Sequence, residues 1–290
     1  MTELTNVNYL YEQPYELFDS KSMPFSNQFL SHFALGDSLL KQVGANQAKG
    51  ALHFWTAEEL VILGMMDTKL PYFQDGLTTL EKEQKNYLVR NAGGLAVVAD
   101  SGILNLSLIL PESLGHKISI DAGYEYMLQL IRQAFKDYGK QIEAYEIVDS
   151  YCPGDFDLSI DGKKFAGIAQ RRMRNGVGIM IYMSVNGNQK KRSEMIQRFY
   201  TAGLKGEATK WKFPAVDPDV MANLDELLET TLTVEQVKEL ILTSLRTAGN
   251  QITTGSYTDE LVTDYQIAFT KMVQRNEQML QDNLNKELLQ

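Results

Sequence analysis

Cysteine is almost absent: Cys152 is the one thiol in 290 residues, which excludes an intramolecular disulfide. The N-terminal stretch MTELTNVNYLYEQPYELFDS has no basic start followed by an apolar core, so no secretory signal is expected and the cytoplasm is the expected compartment. No apolar run reaches the roughly eighteen residues that a membrane-crossing helix needs, so no membrane span is expected. Histidine is scarce too. His32, His53 and His116 lie far apart and offer no metal-ligand spacing, so neither a metal nor another cofactor is expected. Basic charge is short: the formal net charge is −9, and the dense basic patch is Arg171, Arg172 and Arg174, with Lys163 and Lys164 just upstream. Nucleic-acid binding draws its affinity from phosphate contacts, so this balance argues against it. No P-loop motif, repeat, low-complexity tract or Pro/Gly/Ser linker occurs.

What is present is the composition of a globular protein, 44% hydrophobic and 22% charged. Ser26 is placed to cap a helix running to about Val43, with Phe29, Phe33 and Leu39/Leu40 on one face. Strands are expected at 51–55, 59–64, 87–90, 95–99 and 104–110. The period changes at 121–139, where Tyr124, Leu128, Ile131, Phe135 and Tyr138 form a helical stripe. Strands return at 142–148 and 156–160. Asp161-Gly162 then signals a two-residue hairpin into 163–172, and Asn175 with Gly176 joins that strand to 176–185. The chain turns helical after Asn186. Thr233 and Gln236 suggest a capping box, and a last helix from Thr258 carries Leu261, Tyr265, Ala268 and Met272, then Leu280, Leu284 and Leu288. The expected fold is α+β: a mostly antiparallel sheet with packed helices, an N-terminal extension at 1–25, a main domain at 26–250 and a C-terminal helix at 251–290.

The chemistry concentrates in SYCPGDFD, 150–157. Cys152 sits in a loop beside a Pro-Gly turn, where a thiol is accessible. A cysteine inside a strand is more often an inert small hydrophobe. The hairpin brings Lys164 alongside the strand that this loop enters. An ammonium about 4 Å from a thiolate contributes up to about 4 kcal/mol at an effective dielectric of about 20, enough to activate a thiol without histidine. The other reading of Lys163 and Lys164, as solvated strand-end charges, stands beside it. A second cluster, Arg90-Asn91-Ala92-Gly93-Gly94, puts paired glycines between strands, where backbone amides can face an oxyanion or can simply turn the chain.

Together, RNAGGLAVVADSGILNLSL (90–108), SYCPGDFDLSIDGKKFAGIAQRR (150–172) and NGVGIMIYMSVNG (175–187) resemble the lipoate ligase, biotin ligase and octanoyltransferase superfamily, most closely its amidotransferase branch, over roughly residues 28–250. The resemblance implies the mixed α/β ligase-type catalytic fold. It makes Cys152 the acyl-thioester nucleophile and Lys164 the partner that lowers its pKa and relays protons. Arg90, Gly93, Gly94, Asp100 and Gly167 would bind the acyl substrate. Octanoylated glycine cleavage H protein would be the donor, and lipoyl domains of 2-oxoacid dehydrogenase subunits the acceptors. Part of the Arg171, Arg172, Arg174 patch would meet these carriers. The triple glycine and histidine of the ligases are replaced at Leu95 and Ala99, which points to transfer without ATP. Three rivals use the same residues differently: an octanoyl-acyl carrier protein donor, a non-catalytic lipoyl-domain binding module, and a cysteine hydrolase using His32, His53 or His116 as base.

Overall fold

The structure, a computed structural model, describes residues 8–25, 28–46, 48–113 and 116–280. In chain order the elements are α1 (Asn8–Tyr11), β1 (Tyr15–Asp19), α2 (Phe29–Asn46), β2 (Gly50–Trp55), β3 (Leu60–Leu63), α3 (Phe73–Lys82), β4 (Asn86–Val89), β5 (Val97–Ala99), β6 (Ile103–Pro111), α4 (Ile120–Ala134), β7 (Glu143–Ala144), β8 (Leu158–Ile160), β9 (Lys163–Met173), β10 (Gly176–Ser184), α5 (Gln189–Leu204), α6 (Leu224–Leu227), α7 (Val234–Thr247), β11 (Ile252–Thr254) and α8 (Asp259–Leu280).

Eight strands form one sheet in the order β11-β1-β2-β6-β10-β9-β8-β7, and β4-β3-β5 form a smaller one. Among the described strands, only β1 with its two neighbours, and β3 with β4, pair in parallel. The mostly antiparallel α+β expectation is met. The long strands β6 and β10 run side by side over their full length, so alternation divides their residues between two faces. One face carries Leu104, Leu106, Leu108, Leu110, Val177, Ile179, Ile181 and Met183 into the main core. That core is closed by Met127 and Ile131 of α4 and by Val237 and Ile241 of α7. The other face lies under α2, which in turn packs on α8. A second core joins the small sheet to α3 and α5 through Val61, Leu63, Leu77, Leu80, Ile196 and Phe199.

Local signals explain the boundaries. Ser119 caps α4 through the Ala122 amide, and Thr233 with Gln236 forms the expected capping box on α7. Asp161 (φ 50°) and Gly162 (φ 78°) make the turn between β8 and β9. The expected strand at 142–148 shrinks to β7, because residues beyond it bond to Asp157: the Tyr145 amide to its carbonyl and the Ile147 amide to its carboxylate. The stretch after Asn186 is not one helical run: Lys205 turns left-handed (φ 48°) and ends α5. Four elements escaped the sequence reading: α1, β1, α3 and β11. The stretch set apart at 1–25 supplies α1 and β1. The Ser26 cap and the Leu284/Leu288 stripe lie outside the described residues.

Candidate active site

Two loops meet at the thiol. The first, between β7 and β8, is tied together by Asp157, whose Oδ2 accepts from the amides of Ile147 and Gly154, each at 3.2 Å. Its Oδ1 pairs with Lys164 Nζ at 2.9 Å. Lys164 is fully buried and also donates to Ser150 Oγ (3.1 Å) and to the carbonyls of Tyr151 (3.0 Å) and Cys152 (2.8 Å). These bonds hold Cys152 in a left-handed conformation, φ 50°, which costs a non-glycine residue about 1–3 kcal/mol. Burial pushes the Asp157 carboxyl up, against the Lys164 ammonium and the two amides, which pull it down.

How Lys164 comes to face this loop is a matter of register. Leu158 pairs with Ala166, but Ser159 pairs with Lys164, so β9 carries one extra residue, Phe165. This bulge sends both Phe165 and Ala166 into the main core and turns Lys164 to the face that holds Gly167. Strict alternation counted back from Gly167 would have put Lys163 there instead. Lys163 is exposed.

The second loop wraps around Arg90. Its Nε donates to the Gly93 carbonyl and its Nη2 to the Leu95 carbonyl, both at 3.0 Å. Gly94 turns at φ 94°, and a Cβ there would lie 3.1 Å from Cys152 Sγ and run into the guanidinium. The Leu95 amide donates to Sγ at 3.2 Å, and Arg90 Nη2 lies 3.7 Å from the same sulfur. The thiol therefore sits between a backbone amide and a guanidinium. Both can stabilise a thiolate, and both can receive the oxyanion of an attacked carbonyl.

From the sulfur, a cavity walled by Tyr124, Pro153 and Gly167 adjoins a second, apolar cleft of about 800 Å³ of empty space. Arg90, Val97, Gly167, Ala169 and Tyr182 line both. The cleft runs over the α2 side of the sheet. Its floor is the register row Trp55, Asn105, Tyr182, Gly167, then the row Ser107, Met180, Ala169. Phe33 and Leu40 of α2, with Ile62, form its roof. A largely apolar slot that adjoins the cavity holding a nucleophile suits an acyl chain.

The other expected site residues scatter. Gly93 lines the cavity at the sulfur. Asp100 pairs with Arg192 through both oxygens, at 2.7 and 2.6 Å, and does not line either cavity. Arg171 is pinned at the cleft rim by Asp37 (2.5 and 2.9 Å) and the Asn91 carbonyl (2.8 Å). Arg172 points to the opposite face and bonds the carbonyls of Ile118 and Ser119 at the start of α4. Arg174 sits exposed in the turn after β9. Among the described residues no histidine bonds Cys152. His116 stacks on Tyr9, and burial pushes His32 and His53 down to about 3, so both are neutral. A cysteine hydrolase with a histidine base finds no support in this geometry.

Residues 28–246 match the lipoyl protein ligase A/B catalytic domain. The chain belongs to that family. Among curated relatives of this lipoyl ligase-type chain, the octanoyl-[GcvH]:protein N-octanoyltransferase of Macrococcus caseolyticus is 43% identical over 252 residues, covering 87% of this chain and 91% of the relative. The lipoyl-[GcvH]:protein N-lipoyltransferase of Listeria monocytogenes is 40% identical over 271 residues, covering 93% and 97%. Among solved structures, lipoate-protein ligase A bound with ATP superposes with a TM-score of 0.67 at 17% identity, over 90% of this chain and 95% of that one. The bipartite lipoate protein ligase of Thermoplasma acidophilum gives 0.66 at 18%, over 94% and 99%. These likenesses establish a lipoyl ligase-type fold. Sequence reasoning passed over Asp157 and Tyr182 as parts of the site. The spacing of Gly154 and Asp157, which allows a carboxylate to bond an amide three residues back, was a usable signal for the first. Tyr182 carried none: it reads as one more aromatic in a strand.

Proposed function

We propose that this protein moves an octanoyl group from a lysine of octanoylated glycine cleavage H protein to the lysine of lipoyl domains of 2-oxoacid dehydrogenase subunits, through a thioester on Cys152. The observation that carries this reading is the chain's sole thiol held 3.2 Å from the Leu95 amide, in a cavity that adjoins an apolar cleft. The names of the relatives support the donor and the acyl group. The Cys152 thiolate attacks the donor amide carbonyl, forming a C–S bond, while Leu95 N and Arg90 stabilise the oxyanion. The C–N bond then breaks, and the departing lysine amine takes a proton from the Lys164 ammonium. In the second half the acceptor amine attacks the thioester, the thiolate leaves, and the amine's proton returns to Lys164, with Asp157 beside it as counter-charge. One lysine amide replaces another, so no nucleotide is consumed. Burying about six methylenes at about 0.8 kcal/mol each gives the acyl tail about 5 kcal/mol of anchoring. A lone reduced thiol fits the cytoplasm.

The test mixes purified protein, octanoylated H protein and an unmodified lipoyl domain without nucleotide. The acyl mass should appear on the acceptor lysine. A requirement for ATP and free octanoate would contradict the reading, and transfer by the Cys152→Ala variant would exclude the thioester.

A further inference from the structure

Behind the loop that presents the Leu95 amide lies a buried polar chain with no part in the steps above. Asp67, fully buried in the turn after β3, accepts from the Tyr200 hydroxyl at 2.8 Å and from the Gly64 amide at 2.7 Å. The Tyr200 oxygen in turn accepts from the Ala96 amide at 3.2 Å. The ladder between β3 and β5 begins only at Val97, so the buried Ala96 amide has no strand partner, and the phenol takes that place. Since the Tyr200 proton is committed to Asp67, its lone pairs are left to face Ala96.

The consequence is geometric. A peptide unit is planar. The unit joining Leu95 to Ala96 is held at both ends, its carbonyl by Arg90 Nη2 at 3.0 Å and its amide by Tyr200. The same Arg90 nitrogen and the Leu95 amide are the two groups on Cys152 Sγ. Gly64 tightens the assembly: a Cβ there would overlap the Gly94 carbonyl. We propose that Tyr200 and Asp67 are positioning residues, which fix this peptide so that the Leu95 amide and Arg90 stay aimed at the sulfur and at the oxyanion formed there.

A carboxyl is a costly choice for such a place. Burial pushes Asp67 up to about 6, despite the bonds from Tyr200 and Gly64 and the attraction of Arg90. A residue kept only for packing would be apolar.

The inference rests on the thioester reading given above, and its test separates the two. Tyr200→Phe keeps the ring between Phe199 and Phe213 and removes only the hydroxyl; Asp67→Asn is the near-isosteric second variant. Cys152 alkylation by iodoacetamide needs no acyl donor and should slow several-fold in both variants. In steady state, kcat for transfer from octanoylated H protein should fall about ten- to a hundredfold, as a misplacement near 1 Å does. KM for that donor should stay unchanged. Thermal unfolding establishes that each variant folds. Wild-type alkylation and wild-type kcat in Tyr200→Phe would overturn the inference, as would a raised KM at constant kcat. Slowed alkylation in the variants, with no acyl transfer by the wild type, would uphold the positioning role and sink the thioester reading instead.

Discussion

The two faces of the large sheet are built from the same strands and obey opposite rules. Toward α4, β6 offers Leu104, Leu106, Leu108 and Leu110. Toward α2, the same strand offers Asn105, Ser107 and Ile109, and its neighbours add Gly167, Ala169 and Gly178. Bulk on the first face fills the main core to the density that stability requires. Missing bulk on the second leaves the cleft. A strand has one backbone but two selective pressures, and alternation lets it satisfy both. The bulge at Phe165 is where β9 leaves that rule, and it does so to bring a cation to the site face.

Substitutions on each face should therefore fail in different ways. The largest effect belongs to Lys164, the residue that the bulge moves across. Lys164→Ala leaves the buried Asp157 carboxylate uncompensated and should cost about 3–5 kcal/mol in urea unfolding, together with transfer activity. Lys163→Ala, on the exposed side, should stay within about 0.5 kcal/mol. A larger loss from Lys163→Ala would show that the register shift is wrong. Smaller effects come from a matched pair. Leu108→Ala, on the α4 face, should cost about 2–5 kcal/mol and leave the transfer rate of the folded fraction unchanged. Gly178→Ala, on the α2 face, places a Cβ at ordinary contact, 3.4 Å from the Arg171 carbonyl and 3.5 Å from Leu40. Its stability should hardly move, while preference shifts toward an acyl chain one methylene shorter by about fourfold, the worth of one buried CH₂. Competition between donors of different chain length reads this out. An unchanged chain-length profile would remove Gly178 from the cleft floor.

Much of this was legible beforehand, and the exceptions have physical causes. The periods of β6, β10 and α4 are strong because each element buries one continuous face, so the sheet core followed from spacing. The hairpin at Asp161-Gly162 announced itself through residues that accept positive φ. β1 and β11 escaped because each is short and pairs in parallel with strands distant in the chain, β1 with β2 and β11 with β1, which no local pattern records. Cys152 stood out as a lone thiol beside a Pro-Gly turn. Choosing Lys164 over Lys163 came from family resemblance, since alternation counted from Gly167 selects the wrong lysine and a bulge leaves no trace in spacing. Neighbouring strand residues face opposite ways, so only part of the arginine patch was expected to form one surface; Arg171 is bound to Asp37 at the cleft rim and Arg172 to the start of α4. The chain Ala96–Tyr200–Asp67 was invisible for a different reason: its members come from three separate segments and meet only in the fold.

The most direct measurement of the central claim is intact-protein mass spectrometry after brief mixing with octanoylated H protein and no acceptor. The protein should gain one octanoyl group, mapped to Cys152, released by hydroxylamine and absent from Cys152→Ala. An adduct that survives hydroxylamine or persists in Cys152→Ala would contradict the acyl-thioester mechanism.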